Sequence, residues 1–170
     1  GQVGCAGQGR SVGGLDGDIA TERDADRLRK AGIPARQILT GGACHLDARQ
    51  VDAALAEEGD RLRGLDVLFS ENVGNLICPG AWLVGAHQRM VVVSTTEGPY
   101  MIVKHPHILH DARVLAINKM DLSGPMQVDM EQLKRDALGI KPGLEVVFTN
   151  GRTGEGLPRL IEALDLPEKN

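Results

Sequence analysis

Short apolar runs that alternate with helical patterns place the tightest constraint on how this chain folds. Val67 to Phe69, Met90 to Val93 and Val114 to Ile117 contain no polar residue and are too short to be helices. Apolar runs of this length are typical of strands that are buried on both faces of a sheet. Because helical patterns separate them, the sequence predicts an α/β fold with a mostly parallel sheet and helices on both faces.

The other predicted elements follow from periodicity and from turn residues. Residues 1–16 are rich in glycine and lack periodicity, so the sequence predicts an irregular segment there and one domain over 17–170. Strands are predicted at Arg36–Leu39, Leu65–Glu71, Met90–Val93, Val114–Ile117 and Leu144–Thr149, and helices at Thr21–Ala31, Leu46–Glu58, Pro106–Asp111, Val128–Leu138 and Leu157–Leu164.

The composition narrows the class of protein. Hydrophobic residues make up 42% of the 170 residues, charged residues make up 25%, and the net charge is −4. This balance leaves no basic stripe to neutralise phosphates, so we expect no nucleic-acid partner. No apolar run approaches the roughly 18 residues of a membrane span. The three widely spaced cysteines do not form a disulfide framework, so we expect a soluble, cytoplasmic protein without membrane contacts.

The four residues after the strand at Val114–Ile117 indicate guanine recognition. They read Asn118-Lys119-Met120-Asp121. The Asp121 carboxylate can accept hydrogen bonds from N1–H and N2–H₂ of guanine, and adenine offers no such pair of donors there. The Lys119 stem can lie along the base, and Asn118 can hold neighbouring loops together. The loop that holds Asn150 and Gly151, one strand later, strengthens this interpretation. The alternative is an ordinary turn with solvated charges.

A carboxylate and a glycine at the end of the strand at Leu65–Glu71 suit the phosphate side of a nucleotide. Ligands of open α/β sheets bind beyond the carboxyl ends of the strands. Glu71 can hold the water shell of Mg²⁺, and Gly74 lets a backbone N–H approach a γ-phosphate. Asp18 can also reach Mg²⁺ as part of a switch segment, although a carboxylate on the approach to a helix explains it almost as well.

Three residues suit a transition-metal ion. Cys44, His45 and Cys78 offer thiolate and imidazole ligands for Zn²⁺ or Ni²⁺. Three ligands do not close a tetrahedral site, and adjacent side chains such as Cys44 and His45 tend to diverge. Two chains that offer six ligands around a pair of ions would solve both problems. The alternative is a buried apolar Cys78 and an incidental Cys-His pair.

The amino end matches the spacing of a phosphate loop but not its context. Gly4, Gly9, Arg10 and Ser11 fit G-x-x-x-x-G-K-[ST], with Arg10 in the place of lysine. The motif has meaning only between a strand and a helix, and too few residues lie on either side of it. A planar guanidinium is also a poor substitute for a compact ammonium group under the phosphates.

From Gly17 onward the chain resembles the hydrogenase nickel-incorporation GTPases of the HypB family. The matching pieces are Gly17–Ala25 (GDIATERDA), Cys44–Asp47 (CHLD), Glu71–Pro79 (ENVGNLICP), Thr96–Gly98 (TEG) and Asn118–Asp121 (NKMD). The resemblance implies a P-loop NTPase fold of the SIMIBI type, with 17–170 as the G domain. It also implies a GTPase that uses GTP and Mg²⁺, forms a homodimer and delivers nickel to [NiFe]-hydrogenase. Its expected partners are other maturation proteins and the hydrogenase large subunit.

The resemblance further implies that Cys44, His45 and Cys78 ligate Zn²⁺ or Ni²⁺ at the dimer interface. Three expected elements are missing from the sequence pattern: the strand before the phosphate loop, the helix after it and the strand leading into Gly17. Two alternatives therefore stay open. One is a non-enzymatic metal-binding remnant that cannot bind GTP, and the other is a urease-type nickel chaperone GTPase, which the loop at Thr149–Thr153 resembles more closely.

Overall fold

A computed structural model describes residues 9–74, 77 and 84–166 of the chain. These residues form two compact units. The amino-terminal unit comprises the described residues up to 86 together with residue 166, and the carboxy-terminal unit comprises 87–165. Each unit contains one three-stranded parallel sheet.

The amino-terminal unit alternates strands and helices. Its strands lie in the order β2-β1-β3, and all three run parallel. The elements in chain order are β1 (Val12–Asp18), α1 (Arg23–Lys30), β2 (Ala35–Leu39), α2 (Ala48–Glu58), α3 (Asp60–Arg63) and β3 (Val67–Glu71). A buried cluster of Leu15, Leu46, Val51, Ala54 and Leu62 forms the core beside this sheet.

The carboxy-terminal unit repeats the alternation with shorter helices, and its parallel strands lie in the order β4-β5-β6. The elements are β4 (Met90–Ser94), α4 (Met101–Lys104), β5 (Val114–Asn118), α5 (Met130–Ile140), β6 (Glu145–Phe148) and α6 (Leu157–Leu164), with 3-10 helices at Thr95–Glu97, Pro106–Leu109 and Met120–Leu122. The central strand β5 is buried from Val114 to Ile117, because neighbouring strands flank it on both sides.

The α/β fold with parallel sheets is confirmed. The five predicted strands are present, and their ends differ from the predicted ends by at most two residues. The short helix predicted at Pro106–Asp111 is a 3-10 helix over Pro106–Leu109. Within the described part of the chain, no helix has both the length and the apolar character that crossing a membrane requires.

The prediction of an irregular segment over residues 1–16 is wrong for residues 12–16, and a strand does lead into Gly17. Residues 12–16 belong to β1, which is the central strand of its sheet. The glycines misled the sequence analysis because they serve close packing. A Cβ atom at Gly17 would lie 2.7 Å from Leu46 Cγ, and one at Gly13 would overlap Leu65 Cδ1. Composition alone does not distinguish such a strand from a glycine-rich loop.

Candidate functional site

The loops that follow β5 and β6 are joined through Asn118. This residue ends β5, and its Oδ1 accepts hydrogen bonds from the Gly151 backbone N–H at 2.9 Å and from Thr149 Oγ1 at 3.3 Å. The Met120 N–H also donates to the Thr149 carbonyl at 3.1 Å. Both loops leave the carboxyl ends of neighbouring parallel strands, which is where ligands of such sheets bind.

The conformation of Lys119 is supported by a threonine that the sequence analysis did not single out. Lys119 has the left-handed backbone conformation, with φ 59° and ψ 42°. Its carbonyl accepts a hydrogen bond from Thr95 Oγ1 at 2.8 Å, and Thr95 is fully buried. A hydroxyl directly after the apolar strand β4 was the available sequence signal, because a buried hydroxyl requires a partner.

Asp121 lies in the 3-10 helix Met120–Leu122, immediately after this left-handed turn. Its side chain is exposed, so the carboxylate is accessible to a ligand. The loop beyond β6 is held by Asn150, whose Oδ1 accepts hydrogen bonds from the N–H groups of Arg152 and Thr153. Asn150 therefore shapes the loop from inside, since its own side chain is 5% exposed.

Asp18 and Glu71 end two neighbouring parallel strands of the amino-terminal unit, β1 and β3. Asp18 Oδ1 accepts hydrogen bonds from the backbone N–H groups of Ala20 at 2.8 Å and Thr21 at 2.7 Å. These bonds lower the pKa of Asp18 and keep its carboxylate ionised. These bonds hold the turn that leads to α1, whose N-cap residue is Glu22, so Asp18 lies on the approach to the helix without capping it.

Desolvation by the surrounding protein raises the pKa of Glu71, with a further contribution from the charge of Asp24, although the residue as a whole is exposed. A carboxylate that is partly desolvated gains more than a fully hydrated one when a cation approaches. Gly74 lies three residues beyond β3, and, apart from its chain neighbours, no atom of the described residues lies within 4 Å of the place where its Cβ would be.

Asp16 is a buried carboxylate that the sequence analysis missed. Asp16 is 2% exposed, and neither of its carboxylate oxygens has a hydrogen-bond partner among the described residues. Burial, followed by the negative charges of Glu71 and Asp24, raises its pKa to about 6. Asp16 pairs with Glu71 in the register of β1 and β3. Asp16 follows the buried Leu15 in a run that was predicted to be a loop. The sequence analysis therefore did not predict a buried carboxylate at this position.

The expectation that Cys44 and His45 diverge is wrong. Cys44 Sγ lies 3.7 Å from His45 Nδ1, and both residues are half-buried. With a Zn–S distance of 2.3 Å and a Zn–N distance of 2.0–2.1 Å, two ligands of one tetrahedral ion lie about 3.6 Å apart. The pair therefore fits two adjacent positions of a single zinc or nickel ion.

The loop that carries this pair is anchored to the end of β1. The Thr40 N–H donates to the Asp18 carbonyl at 2.9 Å, and Thr40 Oγ1 donates to the Ala43 carbonyl at 2.6 Å. Among the residues that the structure describes, no three potential ligands are arranged to hold a metal ion. Cys78, the third predicted ligand, lies outside the described residues, as does Gly4.

Ser11 and Arg10 do not occupy the position of a phosphate loop. Ser11 directly precedes β1, and its N–H and hydroxyl both donate to Asp66 Oδ2 at 2.7 Å, just before β3. Arg10 Nη2 donates to the Leu166 carbonyl at 3.5 Å. Ser11 thus lies at the amino ends of the strands, about 20 Å from the edge that ends in Asp18.

Phosphate groups bind at the carboxyl edge of such a sheet, so the assignment of Gly9, Arg10 and Ser11 to phosphate binding is corrected. The physical reason is that residues 12–18 are strand and carry these residues to the opposite edge. Spacing in the sequence matched the motif, but the motif's strand lies after it instead of before it.

Replacing Ser11 by alanine tests this correction. We expect the free energy of unfolding to fall by about 1 kcal/mol, because two hydrogen bonds between Ser11 and Asp66 are lost at an exposed site. Binding of a fluorescent GTP analogue should not change. Urea unfolding and a fluorescence titration measure the two quantities, and a large loss of nucleotide affinity in Ser11→Ala would restore the phosphate-loop assignment.

The chain is similar to known proteins in sequence and in fold. The chain matches the family model described as CobW/HypB/UreG, nucleotide-binding domain, over residues 6–148. It is 43% identical over 151 residues to the probable hydrogenase maturation factor HypB of Methanocaldococcus jannaschii, covering 89% of this chain and 67% of the relative. It is 41% identical to the hydrogenase maturation factor HypB of Azotobacter vinelandii, of which the match covers 49%.

A solved structure is similar in fold as well. The crystal structure of HypB from Helicobacter pylori in complex with nickel superposes with a TM-score of 0.85 at 32% sequence identity. The match covers 96% of this chain and 80% of that chain. The present chain therefore spans from about half to about two thirds of the length of the two relatives above, and most of the length of the solved structure.

Proposed function

Because the chain belongs to the HypB group of the CobW/HypB/UreG family, we propose that it is a guanine-nucleotide-dependent nickel chaperone in [NiFe]-hydrogenase maturation. The observation that carries the proposal is the convergence of Cys44 Sγ and His45 Nδ1, 3.7 Å apart. Both ligands are soft enough for Ni²⁺ or Zn²⁺. The solved relative in complex with nickel supports nickel as the cargo.

The proposed metal site takes Cys44 and His45 from the described loop and Cys78 as the third ligand. Three ligands per chain leave room for a ligand from a second copy, so we propose that the ion is held where two copies of the chain meet. A labile site of this kind suits a protein that must release its cargo to a hydrogenase large subunit or to another maturation protein.

The proposed nucleotide is GTP. Asp121 would accept the two donors of the guanine edge, and Asn118 and Asn150 hold the two loops that flank it. In the amino-terminal unit, Glu71 and Asp18 would arrange Mg²⁺ and its water, and the backbone at Gly74 would face the γ-phosphate. Loss of the γ-phosphate would release the segment after β3, as in other nucleotide switches.

A second candidate is a metal-binding protein that does not hold GTP. The observation that favours it is the position of Ser11, which is bound to Asp66 at the amino edge of the sheet. GTP hydrolysis requires contacts to the phosphates beyond those of Glu71, Asp18 and Gly74. Hydrolysis is therefore the part of the proposal that has to be measured separately from binding.

One set of titrations separates the candidates. The reduced chain is titrated with Ni²⁺ and followed by the sulfur-to-nickel charge-transfer absorption, and then with a fluorescent GTP analogue and Mg²⁺. We expect both ligands to bind, and we expect Cys44→Ala to weaken nickel binding and to reduce the absorption band, to which the Cys78 thiolate also contributes. Nickel binding without GTP binding would establish the second candidate, and absence of both would overturn the proposal. If Cys44→Ala binds nickel as tightly as the wild-type chain does, Cys44 is not a nickel ligand, and a urease-type chaperone is favoured.

A further inference from the structure

Asn72 connects the segment after β3 to the loop that carries Cys44 and His45. It directly follows Glu71, and its side-chain Oδ1 accepts two backbone hydrogen bonds. One comes from the Leu46 N–H at 2.7 Å and the other from the Val73 N–H at 2.9 Å. The Leu46 N–H belongs to the peptide group that joins His45 to Leu46, so Asn72 holds the backbone of a proposed metal ligand.

The residues that follow this peptide group are held in place by packing and by hydrogen bonds. Leu46 is fully buried and packs against Gly17 of β1. Asp47 caps α2 and forms a capping box with Gln50, at 2.9 Å in each direction. On the other side of the pair, Thr40 ties the loop to the Asp18 carbonyl. The peptide between His45 and Leu46 is held by Asn72, because its N–H donates to Asn72 Oδ1.

We propose that Asn72 is a positioning residue for the metal pair, which holds Cys44 and His45 in the orientation that binds one Ni²⁺ or Zn²⁺ ion. This inference rests on the proposed metal function and adds the group through which the segment after Glu71 acts on the metal. Partners that hydrogen-bond directly to ligating side chains typically change metal affinity 10- to 100-fold when they are removed, and because Asn72 acts through the backbone we expect the lower end of that range. A movement of residues 71–74 would be transmitted to Cys44 and His45 through the hydrogen bond that Asn72 Oδ1 accepts from the Leu46 N–H.

Two substitutions separate the acceptor from the shape of the side chain. Asn72→Leu has a similar size but no acceptor, so the Leu46 N–H loses its partner. Asn72→Asp keeps an oxygen at the same place and can accept both hydrogen bonds. We expect the dissociation constant for Ni²⁺ to rise about tenfold in Asn72→Leu and to stay within about twofold of wild type in Asn72→Asp.

The measurement is a titration of the full chain with Ni²⁺ alone, read by the charge-transfer band and by competition with a chelator of known affinity. Unfolding in urea without metal is measured for each variant. Asp129→Ala is the matched control, because it removes a side chain that accepts from the Gln132 N–H and caps α5 in the other unit. It should lower the free energy of unfolding and leave nickel affinity unchanged.

The outcomes are distinguishable. Weak binding in Asn72→Leu, restored in Asn72→Asp, supports the inference. Equal nickel affinity in both variants and wild type would overturn it and leave the proposed function standing. If the wild-type chain does not bind Ni²⁺ through Cys44, the proposed function fails, and the inference fails with it. If Asn72→Leu does not fold, Asn72→Ala provides the variant without an acceptor, and the same comparison with Asn72→Asp applies.

Discussion

Replacing Asp121 by asparagine is expected to weaken GTP binding by about 10- to 100-fold, because a bidentate contact to a base edge contributes roughly 1–3 kcal/mol. The amide oxygen can still accept one hydrogen bond from guanine, but the amide N–H₂ then faces the N2–H₂ group of the base. Two donors would face each other. The same amide matches xanthine, which has a carbonyl oxygen at that position, so affinity for xanthosine triphosphate should rise.

Competition against a fluorescent GTP analogue measures both affinities in one experiment. A gain in affinity for xanthosine triphosphate would show that the variant is folded, because an unfolded variant would lose affinity for both nucleotides. Asp111→Asn is a suitable control, because Asp111 is an exposed carboxylate of the same unit beside His110 and lies outside the proposed pocket. Unchanged GTP affinity in Asp121→Asn would show that this carboxylate does not contact the base.

Replacing Asp16 by asparagine is expected to be more favourable at pH 8 than at pH 4, by about 2.5 kcal/mol in the free energy of unfolding, because about 0.5 kcal/mol of the full effect is already lost at pH 4. Burial and the charges of Glu71 and Asp24 raise the pKa of Asp16 from 3.8 to about 6 in the folded state. One pKa unit corresponds to about 1.36 kcal/mol, so the shift is equivalent to about 3 kcal/mol.

The direction follows from proton linkage. Below pH 3.8 the Asp16 carboxyl is protonated in both the folded and the unfolded protein, and the favourable contribution of the raised pKa is fully present. As the pH rises through about 6, the folded protein loses this proton and carries a buried charge that no described residue meets with a hydrogen bond. The contribution of Asp16 to stability is then lost, and asparagine avoids that loss because it never ionises.

Urea unfolding followed by circular dichroism at pH 4, 6 and 8 measures this effect. Asp52→Asn is the control, since Asp52 is exposed on α2 of the same unit and its replacement should change the free energy of unfolding by less than about 0.5 kcal/mol. A difference between wild type and Asp16→Asn that is constant with pH would show that the pKa of Asp16 is the same in the folded and the unfolded protein.

The elements that sequence reasoning located correctly are those whose signal is local. Hydrophobic period and length placed β4, β5 and β6, and the last helix was predicted with the bounds that the structure has, Leu157–Leu164. The strand β1 was missed, because its glycines resemble a loop unless the neighbouring Leu46 and Leu65 are known. Close packing against residues far along the chain leaves no local trace in the sequence.

The same distinction between local signals and distant packing applies to the candidate site. The sequence alone predicted the chemistry: a carboxylate at Asp121 that can accept hydrogen bonds from guanine, and a thiol next to an imidazole at Cys44 and His45. Only the tertiary structure decided which of these groups converge, that Ser11 binds Asp66 at the amino edge, and that Asn72 holds the peptide after His45. It also revealed Asp16 as a buried charge. Residue type determines what a side chain can bind, whereas distance, burial and hydrogen-bond partners arise only when distant segments pack together.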